Sequence, residues 1–171
     1  MSKQNSLSAS LSLYRYECFL FLMYVAIIGA LARPSFINEI IQEMPSEPKQ
    51  YLSSINREQK VYFVQKNTFA NSVEALEIGI QTETPNYKYS VRTTNKAAFN
   101  YGISKHQKNT SYVGGVFVVP AKEVEPTATK HELKAIAILC KADSPGSIQP
   151  PEPTYQNGKT ACGKGTKLVT E

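Results

Sequence analysis

The chain has 171 residues and a mass of 19.0 kDa, which suits one modest domain with its own core. A hydrophobic share of 42% against 19% charged residues excludes a disordered chain, and a formal charge of +5 is too mild to imply nucleic-acid binding by itself. Two histidines (His106 and His131) and three cysteines exclude a histidine-rich metal centre, a four-thiolate zinc site and a disulfide-dense scaffold.

From Cys18 to Ala32 the chain runs CFLFLMYVAIIGALA without a charge, bounded by Arg15 and Glu17 before it and Arg33 and Pro34 after it. With Tyr14 and Tyr16 the apolar stretch reaches roughly 19 residues, close to the ~20 that cross a bilayer. Three readings compete. Lys3 and the A-x-A pattern Ala30-Leu31-Ala32 fit a cleaved secretory signal. The length also suits a buried core helix. A membrane anchor that doubles as a packing helix accounts best for Glu17, because a carboxylate at the edge of such a segment is costly in lipid and is usually kept for a partner.

After Pro34, Phe36, Ile37, Ile40, Ile41 and Met44 recur at helical spacing. Pro45 and Pro48 interrupt, and a proline inside a helix costs ~3 kcal/mol or more. Ser46 can cap a new helix with Pro48 in its first turn, where the missing N–H is tolerated. Tyr51, Leu52, Ile55, Tyr62 and Phe63 then form a second, core-facing stripe ending near Lys66 and Asn67. The pattern predicts two helical pieces with a kink near Pro45/Pro48.

Downstream the period shortens. Ser72 to Ile78 suits one short helix capped by Asn71 or Ser72. Tyr87–Thr93 alternates as a half-buried strand, and Ala97–Ile103 follows after the turn Thr94-Asn95-Lys96. Tyr112–Val119 and Lys134–Lys141 are the third and fourth strands. Short consecutive strands joined by turns favour an antiparallel sheet. Gly114-Gly115 precedes no phosphate-loop lysine, so a bulge or a close backbone approach is the expected role.

Cys18 in the apolar run reads as a small buried hydrophobe. Cys140 and Cys162 bracket SPGSIQPPEPTYQNG, a stretch with no hydrophobic pattern to hold it down. A crosslink between its ends would contribute ~3 kcal/mol in the chain-entropy picture and would require an oxidising compartment. Two unrelated free thiols are the alternative.

Charge is uneven. Residues 34 to 85 carry four basic and seven acidic side chains, whereas residues 84 to 122 hold Lys88, Arg92, Lys96, Lys105, Lys108 and Lys122 and no acid. Tyr87, Tyr89, Phe99, Tyr101 and Tyr112 are interleaved with them, a composition that can track phosphates and stack on bases. The favoured reading is a solvated polar face over core-facing aromatics. Complementarity with the acidic helical part of a neighbouring copy is a third.

Taken in order, these segments resemble a type IV pilin, in particular the G/H-type pilin-like proteins. The resemblance runs over residues 13 to 171: Glu17, an apolar helix ending GALARPSF, then YLSSINREQKVYF, TFANSVEALEIGI, TETPNYKYSV, SYVGGVFVVP and AILCKADSPG. The interval from Glu17 to Pro34 also matches the family's spacing from its early glutamate to its helix proline. The processing site is degenerate: Ser12 stands where the family has glycine, Leu13 where it has an aromatic, and Arg15 enters a normally uncharged run.

The resemblance implies an α+β fold, with a long N-terminal hydrophobic helix packed on a four-stranded antiparallel sheet and a C-terminal disulfide loop through Cys140 and Cys162; the kink near Pro45/Pro48 is read from the prolines and departs from the family, whose relatives usually continue the helix there. It divides the chain into a leader-like segment (1–12), a transmembrane and filament-core helix (13–33) and an extracytoplasmic head (34–171). The implied role is a structural pilus subunit that sits in the inner membrane before assembly; no cofactor is expected, and an enzyme is disfavoured because no nucleophile–base or carboxylate pair has recognisable spacing. Adhesion, motility and DNA uptake are the roles open to such a filament. Its partners would be other pilin subunits, the lipid bilayer, the assembly machinery and a prepilin peptidase cutting between Ser12 and Leu13. Glu17 would pair with the N-terminal amine of a neighbouring subunit. Two alternatives remain: a DNA- or surface-binding minor pilin using Lys88, Arg92, Lys96, Lys105 and Lys108, with nucleic acid the disfavoured partner, and a membrane-anchored relative that never assembles.

Overall fold

A computed structural model describes residues 46–170. The expected 13–33 span, the apolar stripe from Phe36 to Met44 and any kink at Pro45 lie outside the described residues. Among those residues, no helix is long and apolar enough to cross a membrane.

Helix α1 (Glu47–Lys66) starts at the expected place, with Ser46 extended before it and Pro48 in its first turn. Ser46 makes no side-chain cap; its hydroxyl lies 3.5 Å from that of Tyr112 instead. The helix stops at Asn67, whose left-handed backbone (φ 53°) lets its N–H donate to the Phe63 carbonyl at 2.8 Å. The stretch expected as a short helix contracts to a single 3-10 turn, Glu74–Leu76. Its N-cap is Val73, not Asn71 or Ser72, although the Ser72 hydroxyl accepts from the Ala75 N–H at 3.2 Å, and positive φ at Glu77 and Gly79 ends it after one turn.

Seven strands follow: β1 (Tyr87–Thr93), β2 (Ala97–Ser104), β3 (Tyr112–Pro120), β4 (Leu133–Ala142), β5 (Thr154–Gln156), β6 (Lys159–Ala161) and β7 (Thr166–Leu168). The main sheet is antiparallel in the order β1-β2-β3-β4-β7, and β5-β6 form a separate hairpin. The sheet thus has five strands, not four. The fifth covers only Cys140–Ala142 of β4, which is too short to leave a period in the sequence.

Side chains alternate across the sheet, so its two faces build two cores. On one face Leu52 and Ile55 of α1 pack with Val73, Leu76, Tyr87, Tyr89, Tyr112 and Leu139. On the other, Phe99, Tyr101, Val113, Phe117, Ile138 and Cys140 are covered by Tyr155, Val124 and Cys162. Strands β2 and β3 are therefore buried on both faces, while β1 alternates between buried and exposed.

The two adjacent glycines of β3 serve these two layers. A Cβ on Gly114 would sit 2.8 Å from Asn56 Cγ of α1, and one on Gly115 would sit 2.6 Å from Pro153 Cγ of the C-terminal segment. Neighbouring residues on a strand point to opposite faces, so each glycine admits a different covering layer. The sequence signal was a close approach; the structure has two.

Candidate functional site

Three polar fastenings fix α1 to the rest of the fold. Gln59 is fully buried, donates Nε2–H to the Ala70 carbonyl at 2.8 Å and accepts the Ala70 N–H on Oε1 at 3.0 Å. One side chain thus satisfies both backbone groups of the segment leaving the helix. Asn56, also buried, donates to the Ile138 carbonyl at 3.1 Å and accepts from Asn100 Nδ2 at 2.8 Å. At the start of the helix, Glu47 accepts from the Thr84 hydroxyl at 2.7 Å and from the Tyr89 hydroxyl at 3.0 Å. Burial, reinforced by this carboxylate, raises Tyr89 far above the usual phenol range.

The opposite face is closed by the C-terminal segment. Cys140 and Cys162 form a disulfide with their Cα atoms 5.8 Å apart. Between them Pro150 and Pro153 are buried, and the Tyr155 ring stacks on Phe117 at 6.2 Å with its hydroxyl donating to Glu123 at 2.6 Å. The stretch without a hydrophobic pattern does pack, through two prolines and one tyrosine that fit the flat face of the sheet. Glu152 completes the closure: Arg92 donates from Nε and Nη2 to its two carboxylate oxygens, and the Tyr101 hydroxyl donates to it as well.

A helix laid on an antiparallel sheet, with a cysteine pair locking the C-terminal segment onto the far face, is the arrangement the resemblance implies. Residues 45–163 match the family described as type IV pilin-like G and H. The chain belongs to that family. No curated protein and no solved structure gives a significant match.

In this pilin-like head the five basic positions do not form one open patch. Arg92 is held by Glu152 and lies 4.7 Å over the Phe99 ring. Lys105 bonds Glu83 at 2.6 Å and the Thr84 carbonyl at 3.2 Å, and Lys88 stands opposite Glu83 in an isolated backbone β-bridge. Lys96 and Lys105 flank the two ends of β2, about 30 Å apart at ~3.3 Å per residue. Lys108 is exposed in the β2–β3 turn. Ser12, Leu13, Glu17 and Pro34 lie outside the described residues.

The Glu152 contacts set a pH dependence. Burial pulls its carboxyl up, but hydrogen bonds from Arg92 and Tyr101, with the Arg92 charge, hold it below the ordinary carboxylate value. A depressed folded pKa adds stability above the unfolded value of about 4.3, and that stability is lost as pH falls through the folded pKa. Protection of the amides of residues 152–156 against hydrogen exchange, relative to the intrinsic rate at each pH, should therefore fall as the medium is acidified through the folded carboxyl's titration. In Glu152→Gln that acid step should vanish; a step of unchanged size would assign it to another group.

The fastenings on Gln59, Asn56 and Glu152 were not legible beforehand. Each is a polar residue in a polar-looking context, and only its partner across the fold gives it a role. The nearest signal was that Asn56 and Gln59 continue the Leu52–Ile55 stripe at helical spacing.

Proposed function

We propose that the chain is a structural subunit of a type IV pilus or related filament, held in the inner membrane by residues 13–33 until it assembles with other pilin subunits. The family match over the head carries this reading. The Cys140–Cys162 disulfide supports placing the head outside the cytoplasm, since reducing thiol pools keep such pairs open. On this reading Glu17 meets the N-terminal amine of a neighbouring subunit, because an uncompensated charge in an apolar filament core costs several kcal/mol. Prepilin-type cleavage would fall between Ser12 and Leu13.

A second reading, a membrane-anchored relative that stays outside filaments, draws on the departures at Ser12, Leu13 and Arg15. An uncut leader would keep Lys3 in the cytoplasm, in line with the positive-inside rule. Fractionating cells into sheared filaments, membranes and soluble pools separates the two. The chain should appear in membranes and in the sheared fraction. Membranes alone would favour the second reading, and a purely soluble chain would end both.

A further inference from the structure

The groove beside α1 and the connection that precedes β1 carry opposite charge. On the β4–β7 side, a groove of about 460 Å³ runs between α1 and the strand ends. Its charged lining is Lys49, Arg57 and Lys60, with no carboxylate among the lining residues. These three share one stripe of the helix. Lys49 Nζ donates to the Thr170 carbonyl at 2.9 Å, and Arg57 pairs with adjacent Glu58 on an exposed surface, a weak contact. Among the described residues, Lys60 has no acidic partner. Lys159 and Lys167, in the strands that flank the groove, are exposed and add to its field.

The connection before β1 is the reverse. Residues 67–86 connect α1 to β1 and contain Glu74, Glu77 and Glu83 with no Lys or Arg. Glu83 is occupied by Lys105, whereas Glu74 and Glu77 are exposed. Hydrogen bonds from its own backbone and from Ser72 hold Glu74 below the ordinary carboxylate value, so it is ionised at neutral pH. Glu77 sits at φ 54° on the turn that ends the 3-10 segment. Val73 and Leu76 of the turn join the helix-side core, and Ser72, Val73 and Glu74 line a shallow cleft with Tyr89, Ser90 and Val91 of β1.

We propose that the groove along α1 receives the Glu74–Glu77 turn of a second copy of this chain. The occupant follows from charge complementarity: a cleft whose charged lining, among the described residues, is cationic, and an acidic turn in a connection without Lys or Arg. Because the two surfaces differ, the contact is head-to-tail and can add copies in one direction instead of closing as a two-fold dimer. Complementary charge then fixes the register between copies and repels misaligned ones. The inference rests on the filament-subunit reading and gives it a contact surface.

The test uses the full chain in native membranes and sheared filaments, treated with a carbodiimide that joins touching amines and carboxylates. Mixed isotope labelling identifies intermolecular peptides. The expected product links Lys49 or Lys60 of one copy to Glu74 or Glu77 of another, in a yield that drops severalfold at about 1 M salt, where charges are screened within ~3 Å. The double variant Arg57→Glu/Lys60→Glu should lower subunit crosslinking about tenfold, the equivalent of one lost decade of affinity. Co-expression with Glu74→Lys/Glu77→Lys should restore it, which also shows that both variants fold. Crosslinks that join subunits at other positions, or reversals that leave the yield unchanged, would overturn the inference and leave the filament reading intact. Groove reversals that abolish retention of added DNA while subunit crosslinks persist would assign the groove to nucleic acid instead. A wild-type chain that forms no intermolecular crosslink at all would sink the filament reading with it.

Discussion

Gln59→Leu is expected to destabilise the head by roughly 2–5 kcal/mol, because it orphans two buried backbone groups at about 1–3 kcal/mol each. The Ala70 N–H and carbonyl both end on this one amide, and Ala70 is itself buried. Leucine fills a similar volume, so the loss isolates the hydrogen bonds from the packing. The consequence reaches past α1: Gln59 anchors the start of the 67–86 connection that carries Val73 and Leu76 into the helix-side core. Urea denaturation of the detergent-extracted protein should show the midpoint shift, together with faster exchange across residues 67–80. A change below about 1 kcal/mol would mean that water or another group replaces the amide at Ala70.

Removing the disulfide should be of similar size. Replacing both Cys140 and Cys162 with serine frees a loop with a sequence separation of 22, for which the chain-entropy account gives about 3 kcal/mol. The structural effect should be local at first. Pro153 and Tyr155 hold the segment against Phe117 and Gly115, but β5 and β6 have three residues each and cannot form a stable hairpin alone. Limited proteolysis should then cut between residues 143 and 161 while the helix-side core stays protected. A variant with wild-type midpoint and wild-type protease resistance would show that packing alone retains the segment.

The parts of this fold that were legible in the sequence are those with a long enough period. Tyr87–Thr93, with its alternating Tyr87, Tyr89 and Val91, and the stripe Tyr51, Leu52, Ile55, Tyr62 and Phe63 announced a strand and a helix at the bounds they hold. Strands β5, β6 and β7 did not, because three residues give no periodicity and their positions depend on Cys162, Pro153 and Tyr155 meeting the far face. The short helix expected over Ser72–Ile78 contracted because Glu77 adopts a left-handed backbone, a choice that glycine or asparagine would have signalled and glutamate does not. The cationic groove was also hidden: Lys49, Arg57 and Lys60 read as the solvated side of an amphipathic helix until β4 and β7 are placed beside them. By contrast, the basic stretch from Lys88 to Lys108 was conspicuous in the sequence, yet Arg92 and Lys105 spend their charge on Glu152 and Glu83 within the same head.

On the filament-subunit reading, residues 13–33 stay attached to this head and carry it into a membrane and then a filament. Intact-mass measurement of the membrane-extracted protein, with N-terminal sequencing, decides this. The expected chain retains the apolar run from Cys18 to Ala32, beginning at Leu13 if the leader is cut and upstream of Ser12 if it is not. A mature chain beginning near Arg33 would mean that Ala30-Leu31-Ala32 is an ordinary signal cleavage site, and would contradict that reading even with the head fold intact.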